Sequence, residues 1–373
     1  MLQPRLEESA YQSEFQRASL ASGGLRLDGR RVSDWRDVVV FLNRSEKSSR
    51  SEVSLGDTRC VCSVRGDIVA PYPDRPSEGI LQFNAAMSPA AEAVGYTSHE
   101  VTRLLERSIR ESDAIDTESL CIVSGERVWL ITCDVCVLDC DGNVTDGCML
   151  AALAALRAFR RPEVSIALAP EVTTAGSGSG GGSGAVKVTL HSSDEREPLP
   201  LALHHTPLAV TFGVLAANDS TAASPGGFSG GAGASTCKLV ADCTASEEAA
   251  LNGSLVCCVN GHEELCAVHL PGRVGIPPPL LLQGSRQALQ RAQVLHAVVD
   301  SSLAELEKRV ELVKKRRLLA LQKLEGQRLN AAEAGGASAA AVDTAAAAAG
   351  GIDKSDPMLS WQLLHRPAVL RDE

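Results

Sequence analysis

Several strand-like runs followed by a helical pattern occur twice along this chain, and this repeated order most strongly limits how it can fold. In the first half, VVVFL, RCVCSVRGDIVA and RVWLITCDVCVL are rich in β-branched and apolar residues, with glycine–aspartate turns between them. One helix is predicted near Ser98, after the capping box TSHE, and DGCMLAALAALRAF predicts another. The second half repeats this order and ends in a long helix from Ser285. We therefore predict an α+β fold of two lobes, with a long C-terminal helix and a flexible tail.

Two glycine- and serine-rich tracts and one alanine-rich stretch divide the chain further. TTAGSGSGGGSGA and AASPGGFSGGAGAS cannot bury enough apolar surface to order themselves, so they predict loop expansions. Heptad-like spacing from Leu303 to Val313 predicts that the last helix continues beyond the second lobe. The predicted parts are an N-terminal extension (1–24), a first lobe (25–168), a Gly/Ser-rich insertion (169–190), a second lobe (191–311) with a Gly-rich insertion near 222–236, a helical extension (312–330) and an Ala/Gly linker with a candidate docking tail (331–373).

The overall composition limits the classes of partner. The 36 basic and 46 acidic residues give a net charge of -10, so contact with nucleic acid is expected to be local. No signal peptide and no run near the ~20 apolar residues of a membrane span is recognised, so no membrane partner is expected. The 12 cysteines are expected to be thiols. No metal site is predicted, because the odd spacing of Cys133 and Cys136 puts them on opposite faces of a strand.

The stretch VLDCDGNVTDG (137–147) concentrates the polar residues that could carry chemistry. As a calcium loop it starts correctly with Asp139, Asp141 and Asn143, but its glycine, Gly142, comes too early for that loop. The position that requires a bidentate glutamate is occupied by Leu150. A turn between a strand that ends near Leu138 and the following helix is therefore the favoured interpretation.

A helix N-terminus beside a glycine turn also attracts anions. In the predicted turn, Gly142 and Asn143 make the bend, and Thr145 or Asp146 caps the helix. The carboxylates at 139, 141 and 146 are expected to crowd this place, and a like charge at ~4 Å costs roughly 1 to 4 kcal/mol. Phosphate is therefore expected to be repelled. The candidate turn residues are Asp139, Asp141, Gly142, Asn143, Thr145 and Asp146.

The helix near Ser98 carries a row of arginines opposite its apolar face. Arg103, Arg107 and Arg110 recur at i, i+4 and i+7, and Arg75 lies upstream. Aligned arginines are typical of a solvated helix face, and they also fit a local track for a phosphate backbone. The pattern leaves both interpretations open. The predicted apolar face consists of Val101, Leu104, Leu105 and Ile109.

Several segments between about residues 25 and 311 resemble the RNase PH family. Among its members they are most similar to a non-catalytic RNase PH-type subunit of the eukaryotic exosome ring. IDTESL together with GERVW is the most specific part of the resemblance. The segments are RLDGR (26–30), EGILQFN (78–84), IDTESLCIVSGERVW (115–129), DGN (141–143), FRRPEVS (159–165) and LALHHTPLAVTF (201–212).

The resemblance implies a two-lobed RNase PH fold, which is like domain 2 of ribosomal protein S5, assembled in a six-membered ring around an RNA channel. In active members the stretch that matches 142–147 is a Ser/Arg-type turn that holds the attacking phosphate. GNVTDG supplies no arginine there, which implies that the turn has lost this chemistry. The family's matching helix contacts RNA through basic residues, and Arg107 and Arg110 fall on that pattern.

Two functional hypotheses follow. The first is a non-catalytic, RNA-guiding ring subunit without a cofactor, in a hetero-oligomer with RNase PH-type neighbours, RNA-binding cap subunits and an associated nuclease. Single-stranded RNA is its expected ligand, and nucleus (nucleolus) and cytoplasm are its expected locations. The second is a phosphate-dependent 3'-to-5' exoribonuclease, alone or as half of a composite site.

The C-terminal segment raises a separate hypothesis. Trp361 lies beyond an Ala/Gly/Ser stretch (331–351), among four other apolar residues. An apolar cluster on a flexible tether is typical of a docking peptide, and a disordered end with one tryptophan is the alternative. The cluster consists of Met358, Leu359, Trp361, Leu363 and Leu364.

Overall fold

A computed structural model describes residues 10–22, 26–168, 186–192, 195–216, 237–272 and 275–333. The tail cluster around Trp361, the tract near 222–236 and residues 169–185 of the first predicted insertion lie outside the described residues. Within the described part, no helix is both long enough and apolar enough to cross a membrane.

The first lobe is built on a six-stranded sheet. Its strands are β1 (Val38–Arg44), β2 (Ser48–Leu55), β3 (Thr58–Val69), β4 (Ile80–Ala86), β5 (Cys121–Val123) and β6 (Arg127–Asp139). The order is β1-β2-β3-β6-β4; β4 runs parallel to β6, the other pairs are antiparallel, and β5 pairs with β6. Along β6, Cys133, Val135 and Val137 are buried while Asp134 and Cys136 are less so, as strand alternation requires. The Cys133 sulfur lies 3.3 Å from that of Cys62 in the core.

The helices of the first lobe cover this sheet and its edges. Thr97 accepts the predicted capping hydrogen bond from the Glu100 amide at 3.3 Å. A short 3-10 turn covers Glu118–Leu120, and a π-helical turn, Glu106–Arg110, follows α3 directly. The helices are α2 (Pro89–Val94), α3 (Ser98–Leu105) and α4 (Val144–Ala158).

Helix α4 is the central element of the molecule. It packs against β2 and β3 of the first sheet on one side and against the second lobe on the other, and almost all of its residues are buried. Its run of alanines permits this close approach. Two buried serines of β2 anchor it, because Ser49 and Ser51 donate hydrogen bonds to the carbonyls of Ala155 and Ala151 at 2.7 and 2.6 Å.

The second lobe contains a four-stranded antiparallel sheet in the order β12-β11-β13-β14. Two further antiparallel strand pairs lie between β6 and β11 along the chain: β8 pairs with β9, and β7 pairs with β10. The end of the predicted insertion 169–190 forms strand β9, which pairs with β8. The strands are β7 (Arg160–Arg161), β8 (Val164–Leu168), β9 (Val186–Leu190), β10 (Leu199–Pro200), β11 (Leu208–Ala216), β12 (Cys237–Ala241), β13 (Gly253–Val259) and β14 (Leu265–His269).

Three further helices complete the fold: α1 (Ala10–Ser22), α5 (Ala245–Ala250) and α6 (Pro278–Glu333). Helix α6 begins at Pro278, before the predicted Ser285, and packs on β1, β11 and β13, so that it spans both lobes. Its Ser302 and Arg309 donate hydrogen bonds to carbonyls of β1. From residue 311 to 323 every side chain of α6 is exposed.

The N-terminal segment is fastened to the second lobe through Arg26. This buried guanidinium forms an ion pair with Glu247 and donates to the carbonyls of Ala241 and Asp242 at 2.8 and 2.9 Å. Helix α1 packs against α5 beside it. The lobes therefore share one hydrophobic core and are also joined by polar contacts across it.

Gly142 is predicted to be essential for the contact between the lobes. Its backbone has φ +80, and a Cβ there would lie 2.5 Å from the Thr244 backbone carbon in the second lobe. Gly125 has nearly the same φ, +81, but a Cβ there meets nothing within 4 Å. We expect Gly125→Ala to cost about 1–2 kcal/mol of unfolding free energy and Gly142→Ala roughly 2–5 kcal/mol, as measured by urea denaturation. Equal losses in the two variants would contradict the proposed steric contact.

Candidate functional site

The site lies at the turn between β6 and α4, where the predicted bend is confirmed. Gly142 and Asn143 both have a left-handed backbone, with φ 80 and 54. Helix α4 begins at Val144 with Asn143 as its N-cap residue, so the predicted capping by Thr145 or Asp146 was wrong. Both residues lie inside the first helical turn, because the two left-handed residues start the helix earlier than the side-chain pattern indicated.

The expected crowding of the three aspartates was also wrong. Asp139 is exposed at the end of β6, 4.0 Å from Arg59. Asp141 lies 3.4 Å from Arg36. Asp146 is buried between the lobes. The three carboxylates have different partners because the left-handed turn and the helix that follows direct them to different sides of the backbone.

Buried Asp146 connects α4 to β11 of the second lobe. Its carboxylate accepts hydrogen bonds from the Thr211 amide at 3.0 Å, the Thr211 hydroxyl at 2.6 Å and the Asn143 side-chain amide at 3.0 Å. Burial raises the pKa of Asp146 to about 7, although these three hydrogen bonds oppose the shift. Asn143 also donates to Asp242 at 2.8 Å, so its side chain bridges two carboxylates.

Arg36 holds the turn from the outside. Its guanidinium pairs with both oxygens of Asp242, at 2.9 and 2.8 Å, and donates to the carbonyls of Asp141 and Gly142 at 2.8 and 3.2 Å. Arg30 adds a second ion pair to Asp242 at 3.1 Å. Burial alone would raise the pKa of Asp242, but the hydrogen bonds and charge of Arg36 outweigh it and hold this pKa below its ordinary value.

Glu248 completes the site from α5. Its carboxylate accepts a 2.7 Å hydrogen bond from the backbone amide of Asn143, at the N-terminus of α4. The Tyr96 hydroxyl, 2.7 Å from both carboxylate oxygens, donates to the same group. Burial raises the pKa of Glu248 to about 7, against the opposing effect of these hydrogen bonds. A carboxylate therefore already occupies the position at which a helix N-terminus attracts an anion.

A cavity of about 310 Å³ opens beside Glu248, between α2 and α3 of the first lobe and the second sheet. Its polar lining includes the side chains of Glu248, Glu100, Tyr96, Thr145 and His269. Among the described residues that line it, none is lysine or arginine. The cavity thus lies next to a helix N-terminus but is lined by acidic and neutral groups.

The four candidate RNA-binding arginines lie elsewhere, on the surface. Arg103, Arg107 and Arg110 are all exposed, as predicted, but the π-helical turn at 106–110 interrupts the regular spacing on which the single stripe was based. Arg110 lies 3.7 Å from Glu106. Arg75 is paired with a nearby glutamate at 3.1 Å. Of the predicted apolar face, Val101, Leu105 and Ile109 are buried and Leu104 is half-buried.

Sequence reasoning missed Arg36, Asp242, Glu248 and Tyr96. Arg36 and Asp242 are 206 positions apart, and Asn143 and Glu248 are 105 apart. The left-handed backbone of Asp242 (φ 44) was not apparent in the sequence. The only local signal was the capping box at Thr244 and Glu247, which marks the start of α5 and hence places Glu248 on a helix.

Comparison with known proteins gives the family of this chain. Residues 35–162 match domain 1 of the 3' exoribonuclease (RNase PH) family, and residues 205–291 match domain 2. The chain belongs to this family, as the resemblance in its sequence predicted.

Among its relatives, the exosome complex component RRP45A of Arabidopsis thaliana is 35% identical, over 79% of this chain and 84% of that protein. The exosome complex component rrp45 of Schizosaccharomyces pombe is 33% identical, over 80% and 92%. The human exosome complex component RRP45 is also 33% identical, over 70% of this chain but only 53% of the longer human protein.

Solved structures show the same fold. A chain of the Archaeoglobus fulgidus exosome, with RNA bound to its active site, superposes with a TM-score of 0.57 at 24% identity, over 77% of this chain and 97% of that one. A chain of an archaeal exosome core gives a TM-score of 0.55 at 25% identity, over 78% and 96%. The predicted two-lobed RNase PH fold is therefore confirmed.

The buried carboxyl of Asp146 predicts how stability depends on pH. A pKa raised from 3.8 to about 7 means that the folded chain holds this proton more tightly than the unfolded chain. Its contribution to stability is therefore complete below about pH 4 and is lost as the pH rises to about 7, at about 1.4 kcal/mol per pH unit. We expect Asp146→Asn to reduce the fall in unfolding free energy between pH 5 and 8, and exposed Asp139→Asn to leave it unchanged. An unaltered pH profile in Asp146→Asn would contradict the assignment.

Proposed function

We propose that this chain is a non-catalytic structural subunit of the exosome core ring that guides RNA during 3'-to-5' processing and degradation. Its relatives are named as exosome complex components, and the chain covers most of the length of two of them. These relatives indicate that the chain is an RNase PH subunit of the polymyositis/scleroderma autoantigen type. Its partners are then other exosome subunits, namely RNase PH-type neighbours, RNA-binding caps and an associated nuclease, together with single-stranded RNA.

The absence of catalysis is supported by one observation above all: a carboxylate, not a cationic side chain, contacts the N-terminus of α4. Phosphorolysis needs a bound phosphate as its attacking group, and a site for it gains most from cations and free amides. The turn 142–147 contains no arginine. The nearest guanidinium, Arg36, already binds Asp242 and two backbone carbonyls. The phosphate-binding chemistry of the turn is therefore proposed to be lost.

The competing function is phosphate-dependent exonuclease activity, alone or shared with a neighbour. Family membership is the observation that favours it. Against it, an added phosphate would meet the carboxylates of Glu248 and Glu100 in the cavity beside the turn. A neighbouring subunit would have to supply every cationic phosphate ligand on that side.

The purified chain is expected to release no nucleoside diphosphates from single-stranded RNA in the presence of phosphate. The physical reason is that no cationic group is free at the turn to hold and orient the attacking anion. The measurement is chromatographic detection of nucleoside diphosphates, with an active RNase PH enzyme as positive control. Phosphate-dependent release that co-purifies with this chain, and disappears in Asp141→Asn, would favour the competing function.

RNA guidance is assigned to the exposed arginines of α3 and its π-helical extension. Arg103, Arg107 and Arg110 present their guanidinium groups to solvent, and Arg75 lies on the preceding loop. Arginine forms bidentate contacts with phosphate, which suits an RNA backbone. In an acidic chain such a local group of arginines would attract RNA where the rest of the surface does not.

The proposed location of the chain, nucleus (nucleolus) and cytoplasm, rests on its proposed membership of the exosome.

Arg107→Glu combined with Arg110→Glu is expected to weaken RNA crosslinking to this subunit within an assembled ring, without disrupting assembly. Each lost phosphate contact should also reduce the log–log salt dependence of binding by about 0.7. The matched control is Arg50→Glu with Arg286→Glu, which makes the same change of charge at two other exposed positions. Equal crosslinking by both double variants at low salt would assign the α3 arginines to an ordinary solvated surface.

A further inference from the structure

The environment of Glu248 differs from that of an ordinary helix cap. Capping side chains usually come from the N-cap residue itself, but Asn143 makes no such bond, because its side chain is turned toward Asp146 and Asp242. The contact to the first amide comes instead from another lobe, from a residue 105 positions further along the chain. The left-handed backbone of Gly142 and Asn143 exposes that amide to Glu248.

Two groups from different elements orient the Glu248 carboxylate. Tyr96 follows α2, and its hydroxyl lies 2.7 Å from both carboxylate oxygens of Glu248. The Asn143 amide lies 2.7 Å from one of them. Arg36 adds a favourable positive charge, and Asp242 adds a negative one. A carboxyl group that is charged above pH 7 thus lies at the N-terminus of a 15-residue helix, where the helix dipole stabilises negative charge.

The cavity beside this contact is open enough to admit a small ion. Its volume of about 310 Å³ far exceeds that of one phosphate, and Thr145 of the first turn of α4 lines it. The size of the cavity therefore does not keep phosphate out. Any exclusion has to come from the groups that line it, and Glu248 is the lining carboxylate that bonds directly to the helix terminus.

We propose that Glu248 is a built-in anion that occupies the oxyanion position at the N-terminus of α4 and thereby closes the adjacent cavity to phosphate. A dissolved oxyanion can then reach neither the Asn143 amide nor the helix terminus without displacing a tethered carboxylate. The tethered Glu248 carboxylate competes better than phosphate for the Asn143 amide, because the fold fixes its local concentration whereas that of phosphate depends on the solution. The inference deepens the proposed function, because it names the residue that keeps this site from using phosphate.

Removal of the carboxylate tests the proposal on the full chain without RNA or ring partners. At pH 8, where Glu248 is charged, melting temperatures in inorganic phosphate and in chloride of equal ionic strength are compared, and the wild-type chain should show only the general stabilisation that phosphate gives a folded protein. In Glu248→Ala, phosphate should raise the melting temperature by a few degrees more than in the wild-type chain, because the amide and the helix terminus become available to bind it. The matched control is Glu100→Ala, which removes the other lining glutamate but leaves the Asn143 contact intact.

Four outcomes are distinguished. Extra phosphate stabilisation in Glu248→Ala alone supports the proposal. Equal phosphate stabilisation of the wild-type chain overturns it, and so does the absence of any effect in a folded Glu248→Ala. Extra phosphate stabilisation in Glu100→Ala but not in Glu248→Ala would assign the exclusion of phosphate to Glu100 and also overturn the proposal. Because no result depends on RNA, a failure here leaves ring membership untouched, whereas phosphorolysis by the wild-type chain would contradict the proposed function itself.

A second measurement applies if Glu248→Ala does not fold. In the wild-type chain labelled with ¹⁵N-asparagine, the Asn143 amide resonance should shift as Glu248 titrates near neutral pH. The shift should be clearly smaller in the conservative variant Glu248→Gln. What remains there is due to Asp146, whose pKa is also about 7 and whose carboxylate accepts a hydrogen bond from the Asn143 side chain at 3.0 Å. Asp242, Arg36 and Tyr96 near Glu248, and Glu100 and His269 on the cavity lining, also remain in that variant. An Asn143 resonance whose pH response is the same in both chains would show that Glu248 does not hold the helix terminus in solution.

Discussion

The ion pair between Arg36 and Asp242 is the interaction on which the arrangement of the two lobes depends. Both groups are withdrawn from water, and a buried charge without its partner is strongly destabilising. The same guanidinium binds the carbonyls of Asp141 and Gly142, so one side chain fixes the turn before α4 and the contact with the second lobe. Asp242 in turn accepts from Asn143, the N-cap residue of α4. Lobe contact and turn geometry are therefore parts of a single polar network.

Features governed by neighbours in sequence could be predicted. The bend at Gly142 and Asn143, the Thr97 cap and the buried face of α3 each depend on residues within a few positions, and local patterns show them directly. The alternation of β6 is of the same kind. The two lobes were predicted from repeated element order and from the family resemblance, and the shared core around α4 explains why neither lobe is complete alone.

The chemistry of the site could not be predicted to the same extent, because it is made by contacts over long sequence distances. Nothing near Arg36 indicates Asp242, and nothing near Asn143 indicates Glu248. The aspartates failed as a cluster for the same reason: closeness in sequence was taken as closeness in space, and two left-handed residues separated them. The π-helical turn after α3 has no pattern in the residues that form it. The acidic turn nevertheless forms part of the site, although the carboxylate that bonds the N-terminus of α4 comes from another helix.

Helix α6 has a mechanical consequence. It contacts β1 in the first lobe and β11 and β13 in the second, and then about 20 Å of it, from residue 311 to 323, has only exposed side chains. A continuous helix transmits torque along its axis. A protein that binds residues 311–323 would therefore exert force on both lobes through this one helix. Ser302 and Arg309, which tie this helix to β1, are the points at which such a force would enter the first sheet.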